Sequence, residues 1–376
     1  MSFNSKSYKD YEERLYSLSD GTIMTDKLVN ELYDNLLAVL PNGGKLYKYK
    51  ALEGFHIDEL EKKYIWFSSA KNLNDNKDCA FNANSLEQLE ELVKFLLIDN
   101  NYRKVLVGSL YLNFSKQNPK ITYKVIEDCL NCITKNGEHI GKLKYDKFCR
   151  DYKLTREQML ELRKTIQLYS DEKQNETAIR NSIRNFYEQT KNIRSGNQIC
   201  SLTTSYKKDS MWAYYCNNKG ICLEYDFTKI NTIEAKKIFI NTQKVRYGRK
   251  KKFSYVEIMK AKLENNPESS IKADKMIYSQ LLTKDKSWLT EEEWRVITHV
   301  RGNEIGIKVP ADIVSAIYID YSVLEEEKAK RIIELAKLND WKIYVRYFID
   351  FEAEYRYDTI ENINKLIAKT KELLEM

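Results

Sequence analysis

Followed by where its apolar residues fall, the chain changes period three times. Residues 6–18 and 25–40 carry them every three to four positions, the spacing of one helix face. In the second stretch Leu28, Leu32, Leu36 and Leu37 form the stripe, and Thr25 and Asp26 stand where a cap is needed. Asn42-Gly43-Gly44 breaks this pattern. KLYKYK (45–50) and YIWFSS (64–69) then read as short strands flanking a small helix near 56–62. From Ser85 to about Asn192 the three-to-four spacing returns with almost no strand signal, and Ser85…Gln88 and Thr155…Gln158 have capping-box spacing. Beyond Gly196 the strands resume as QICSLTT, GICLEYDF, QKVRYG, EEWRVITHV, NEIGIKV, SAIYID and KIYVRYFID. Helices interrupt them at about 251–285 and 323–338, and an amphipathic helix closes the chain at about 358–375.

This order predicts an α+β fold: a central mixed, mostly antiparallel sheet with flanking helices and a large all-helical insert. The expected divisions are N-terminal helices at 1–40, a sheet-based core at 41–83 plus 193–350, the insert at 84–192, and a C-terminal helix at 351–376.

Composition narrows the function classes. No run approaches the roughly 20 apolar residues of a bilayer span, so no membrane segment is expected. Residues 1–20 lack the apolar stretch of a secretory signal, which points to the cytoplasm. Seven cysteines, an odd number, then suggest reduced thiols. The net charge of +7 is too mild to mark a dedicated nucleic-acid binder. With three histidines there is little material for metal chemistry, and Cys129-x-x-Cys132 with His139 and Cys149 lacks the tight second pair of a structural zinc site, so no metal is expected. No phosphate loop, HExxH, GxSxG or GxGxxG motif is present.

Three groupings could carry chemistry. In Glu291-Glu292-Glu293-Trp294-Arg295, strand alternation turns Trp294 and Val296 toward a core and sets Glu293 and Arg295 on the other face, with Glu291 in line. Lys284, Lys286 and Trp288 precede them. A solvated ion pair of this kind stabilises little, so its interest lies in its company. In Asp209-Ser210-Met211-Trp212-Ala213-Tyr214-Tyr215-Cys216, Trp212 and Tyr215 share a helix face, either as core or as a shelf for a flat ring. Tyr47-Lys48-Tyr49, Phe67-Ser68-Ser69 and the loop residues Asn74, Asp75 and Asp78 form the third. Arg246-Tyr247-Gly248-Arg249-Lys250-Lys251-Lys252 is a basic cluster able to grip phosphate.

Taken in order, LYKY (46–49), FSSAKNLND (67–75), CSL with MWAYYCNNKGICLEYDF (200–227), VRYG (245–248) and Lys286…Trp288…Glu293-Trp294-Arg295 resemble a bacterial family. It is a domain of unknown function found beside phage-defence and abortive-infection genes. The family's aromatic helix reads Met-Trp-Ser-His-Tyr-Ala-Asp, and Tyr214 stands here in place of its histidine. The layout is similar to a distant ADP-ribosyltransferase, an antiviral-defence transferase or NAD glycohydrolase using NAD as substrate. The resemblance implies Glu293 and Tyr215 as catalytic, with Glu293 stabilising an oxocarbenium-like ribose. It also implies that Tyr215 and Trp212 stack the nicotinamide, that Lys48 and Arg295 hold phosphate, and that Tyr49, Ser68, Asn74 and Asp75 complete the substrate site.

Two other readings stand beside it. The chain could be a non-catalytic sensor that binds a protein partner through the helical insert. It could instead bind or cleave nucleic acid through Arg246 to Lys252 with Asp75, Asp78 and Glu293.

Overall fold

The computed structural model describes residues 5–18, 24–73, 75, 78–79, 90–91, 94–96, 101–115, 118–135, 138–170, 196–249, 257–258, 261, 267–299, 305–349, 352 and 354–375. The chain forms two compact units, one of residues 1–80, 192–251 and 274–376, the other of residues 81–191 and 252–273.

The first unit is α+β, with mixed, mostly antiparallel sheets and flanking helices. Its strands are shared between two five-stranded sheets. The first sheet has the order β1 (Lys45–Ala51), β4 (Gly220–Asp226), β10 (Val314–Asp320), β11 (Lys342–Ile349) and β12 (Glu354–Thr359). Only β10 and β11 run parallel, joined by the helix Glu327–Leu338, which buries Ala329, Ile332, Leu335 and Ala336. The second sheet has the order β5 (Thr242–Lys244), β8 (Trp294–His299), β3 (Asn197–Leu202), β2 (Tyr64–Ser69) and β9 (Gly306–Pro310), antiparallel throughout. A short parallel pair, β6 (Arg246–Tyr247) and β7 (Thr283–Lys284), lies apart.

The helix Asp26–Val39 forms as its spacing requires. Thr25 accepts the Leu28 N–H at 3.3 Å, Val29 is buried, and Leu32, Tyr33, Leu36 and Val39 are buried in a core that receives side chains from both sheets. The two sheets meet where Tyr47 of β1 and Thr203, just past β3, exchange backbone hydrogen bonds of 2.8 Å each. Around this junction the functional candidates gather. The aromatic helix Asp209–Cys216 runs into β4 through a sharp turn with Asn217 and Asn218 at positive φ. Gly220 follows because nothing larger fits: a Cβ there would lie 2.5 Å from the Lys50 carbonyl oxygen and 2.8 Å from Cys216 Cβ.

Strand β12 falls in the segment 351–376 that the sequence assigns to a terminal helix. The helix itself is Ile360–Glu375. None of the residues of β12 is buried, so alternation had no apolar face to mark it.

The second unit includes the helices Asn101–Phe114, Tyr123–Lys135, Glu138–Asp151 and Arg156–Ser170, packed through Val107, Leu110, Phe114, Ile126, Leu130 and Leu162. The capping box at Thr155 is formed reciprocally, with Gln158 N–H on Thr155 Oγ1 at 3.2 Å and Thr155 N–H on Gln158 Oε1 at 2.9 Å. Ser85 and Gln88 lie outside the described residues. No described helix is long and apolar enough to cross a membrane. The seven cysteines are free thiols.

Candidate functional site

A cleft of about 170 Å³ opens beside the sheet junction. A designed cavity of roughly 150 Å³ accepts benzene, so this one has room for a single six-membered ring. Tyr47, Lys48 and Tyr49 line it from β1, Ser68 from β2 and Ser201 from β3. Asp75 and Asp78 line it from the loop after β2, and Tyr215, Lys284, Trp288, Glu291 and Glu293 are also among its lining residues.

Beneath the cleft lies a buried ionic network centred on Arg295, whose side chain is fully buried. Its Nε donates to Glu293 Oε1 at 2.7 Å and its Nη2 to Glu293 Oε2 at 3.0 Å. Nη1 and Nη2 together grip the Asp78 carboxylate, with the Nη1 contact at 3.1 Å, and Nη1 also donates to the Leu281 carbonyl. A guanidinium has five N–H groups, and all five are taken. This corrects the expectation that Arg295 holds a phosphate: it has no donor left to offer. The same bonds engage Asp78 and Glu293, two of the three acids in the nucleic-acid reading; the third, Asp75, lines the cleft.

Glu293 is equally saturated. Besides Arg295 it accepts from Lys284 Nζ at 3.1 Å and from Ser201, filling the roughly four lone-pair positions of a carboxylate. Burial alone would raise its pKa, but Arg295 and then Lys284 outweigh that effect and hold it at about 2. Glu293 is a fixed charge, with no lone pair available to bind a ligand hydroxyl.

Glu291 is the carboxyl with capacity to spare. Tyr215 Oη donates to its Oε1 at 2.7 Å and Lys284 Nζ to its Oε2 at 2.5 Å, leaving about two lone-pair positions without a partner among the described residues. Burial raises its pKa, and the adjacent charge of Glu293 adds to this against the pull of Lys284. The three carboxyls Asp78, Glu291 and Glu293 face the two cations Lys284 and Arg295, so the fully ionised network carries one net negative charge.

The backbone explains why neighbouring glutamates differ. Asp285 accepts from the Ser287 N–H at 2.9 Å and starts a 3₁₀ turn over Lys286–Glu291. Glu292 ends it in the left-handed region at φ 46°, ψ 50°, a conformation costing a β-carbon-bearing residue about 1–3 kcal/mol. The strand begins only at Trp294. Trp294 and Val296 sink into the core as alternation requires.

The aromatic residues divide differently from expectation. Trp212 is fully buried, with its Nε1 on the Tyr206 carbonyl at 2.8 Å and its ring edge-on to Tyr49 at 5.4 Å. It does not line the cleft, so its expected role as a nicotinamide shelf is corrected. Tyr215 and Trp288 line the cleft together with Tyr47 and Tyr49, and the Trp288 ring lies 4.8 Å from Lys284 Nζ and meets Tyr214 at 5.2 Å. Tyr214 is exposed.

The remaining expected residues are also accounted for. Lys48 donates to the Ser201 carbonyl at 3.0 Å, and Tyr49 Oη donates to the Ser205 carbonyl at 3.0 Å. Asn74 lies outside the described residues, as do Lys250, Lys251 and Lys252, while Arg246 is paired with Glu12. No group of ligands able to hold a metal ion occurs among the described residues.

Residues 211–296 match DUF2971, a family of proteins of unknown function. No curated protein and no solved structure matches the chain. The DUF2971 segment starts at Met211 and ends one residue past Arg295, so it contains Tyr215, Lys284, Trp288, Glu291, Glu293 and Arg295. The cleft residues of β1, β2 and β3 lie outside it. The similarity covers Lys284, Glu291, Glu293 and Arg295 of the ionic network but not Asp78, and it attaches no activity to them.

Proposed function

We propose that the cleft is the site of an NAD-consuming enzyme, an ADP-ribosyltransferase-like transferase or NAD glycohydrolase, acting as an abortive-infection effector in phage defence. The observation that carries this reading is Glu291, a buried carboxyl with unfilled acceptor positions facing a ring-sized cleft. The nicotinamide ring of NAD bears a positive charge, which suits a site with one net negative charge. Tyr215 and Trp288 supply aromatic faces for it. Glu291 then accepts a ribose hydroxyl. The fixed charge of Glu293, close behind, favours the positive charge that develops on the sugar as the nicotinamide bond breaks. Lys284 and Arg295 hold both carboxylates in place. The defence role rests on the resemblance in motif order, and the chemistry rests on the cleft.

The test is direct. Purified full-length protein is incubated with NAD, and free nicotinamide, free ADP-ribose and protein-bound ADP-ribose are followed. Wild type should release nicotinamide, and Glu291→Gln should lose about a hundredfold or more of that rate. Free ADP-ribose identifies a glycohydrolase, and protein-bound ADP-ribose a transferase. Intact NAD with the wild type, both in the tube and in cells expressing it, overturns the reading.

A further inference from the structure

Lys208 stands immediately before the aromatic helix and belongs to no grouping that the sequence singles out. Its backbone carbonyl accepts the Met211 and Trp212 N–H groups at 2.9 and 3.1 Å, starting the helix, and its own N–H donates to Tyr49 Oη at 3.1 Å. Its side chain reaches the other way. Nζ donates to the Glu291 carbonyl oxygen at 3.0 Å and to Glu292 Oε2 at 2.8 Å. Thr203 Oγ1 shares the Glu291 carbonyl and Thr204 Oγ1 shares the Glu292 carboxylate. Four contacts from one short segment therefore pin the two residues on which the left-handed turn depends.

Seven residues beyond Lys208, two helical turns on, the same helix delivers Tyr215, whose hydroxyl closes on Glu291 Oε1 at 2.7 Å. The result is a closed ring: Lys208 to its helix, the helix to Tyr215, Tyr215 to the Glu291 side chain, and the Glu291 backbone to Lys208. A ring with two independent attachments fixes both the position and the direction of the carboxyl it encloses. We propose that Lys208 is a positioning residue, setting the aim of Glu291 and its hydrogen bond from Tyr215 by clamping the turn at Glu291 and Glu292 to the start of the aromatic helix. The inference rests on the NAD-consuming reading only for its catalytic consequence. The clamp on Glu291 can be measured without any turnover.

The first arm of the experiment therefore follows the Glu291 carboxyl by ¹³C NMR in full-length protein, assigned by its loss in Glu291→Gln. Lys208→Met should move its titration midpoint upward by about half a pH unit or more, because the turn loosens, the Tyr215 bond lengthens and a nearby cation is gone. Lys208→Arg keeps a donor pair and should stay near wild type. The second arm is NAD turnover. Lys208→Met should lower kcat by about tenfold to a hundredfold with KM little changed, since only the geometry at the reacting carboxyl is disturbed. Lys208→Arg should recover most of the loss. If Lys208→Met does not fold, Thr204→Val, which removes one contact on the Glu292 carboxylate alone, takes its place. A wild-type titration of Glu291 in the substituted protein overturns the positioning role. A wild type without turnover overturns the NAD reading and leaves the NMR arm to judge Lys208.

Discussion

Arg295→Met is the substitution that most directly tests whether the ionic network is a foundation rather than a binding site. Methionine fits the buried volume but leaves Glu293 and Asp78 facing each other without the guanidinium that satisfies both. Removing one partner of a buried, hydrogen-bonded ion pair costs about 3–5 kcal/mol. The direction of the Glu293 pKa agrees: burial would raise it, and Arg295 followed by Lys284 holds it well below the ordinary carboxylate value. The sign is fixed: a depressed carboxyl contributes its stability in full above pH 4.5 and loses it as pH falls toward 2. All five tryptophans, at 66, 212, 288, 294 and 341, lie in the sheet-bearing unit, so urea titration followed by tryptophan fluorescence reports on that unit alone. Arg295→Met should be about 3–5 kcal/mol less stable than wild type at pH 7, and the gap should narrow as pH falls from 5 toward 3. Arg295→Lys should recover little of the loss, because three donors on one nitrogen cannot span two carboxylates and a carbonyl. A loss below about 1 kcal/mol, typical of a surface pair, or a gap indifferent to pH, would refute the argument.

Two further outcomes follow from the cleft walls and the turn behind them. Trp288→Ala should weaken nicotinamide-ring binding, seen as a raised KM for NAD, with little change in urea stability, whereas Trp212→Ala should cost about 3–5 kcal/mol as a core truncation. The reverse pattern would return the shelf to Trp212. Gly220→Ala forces a methyl group against the Lys50 carbonyl oxygen and Cys216, and should lower stability by about 1–3 kcal/mol in the same urea assay, an effect absent for Gly54→Ala, where nothing lies within 4 Å.

The α+β class was legible because period 2 and period 3.6 are strong signals where each element has one apolar face. The same rule read Trp294 and Val296 as core and Glu293 with Arg295 as the opposite face. It could not say that the opposite face is also buried, because that burial comes from Asp78, which is 217 positions away from Arg295, and from the Leu281 carbonyl. Trp212 and Tyr215 share a helix face by spacing, yet one is sealed under Arg346 and Tyr49 while the other reaches the cleft. Periodicity assigns a face but not a depth. Lys208 left no signal at all, since a lysine before a helix is ordinarily a surface residue and its partners, Glu291 and Glu292, are more than 80 positions away.

The three consecutive glutamates show what sequence patterns conceal. Simple strand alternation sets Glu291 and Glu293 on one side and Glu292 on the other, and the side chains do divide that way. The cause is different. Glu291 ends a 3₁₀ turn, Glu292 is left-handed, and neither belongs to the strand. A regular strand would have let all three shift by a register step with little local penalty. A left-handed residue held by Thr204 and Lys208 does not slide, so the two inward carboxyls keep separate environments. One is locked to Arg295 and ionised, and the other is raised by burial and bonded to Tyr215. On the proposed NAD-consuming reading, two carboxyls of opposite pKa displacement, set side by side, would divide the labour that general acid–base and electrostatic catalysis require. The division depends on the turn, and for that reason the experiments on Lys208 and on Arg295 probe the same design from its two ends.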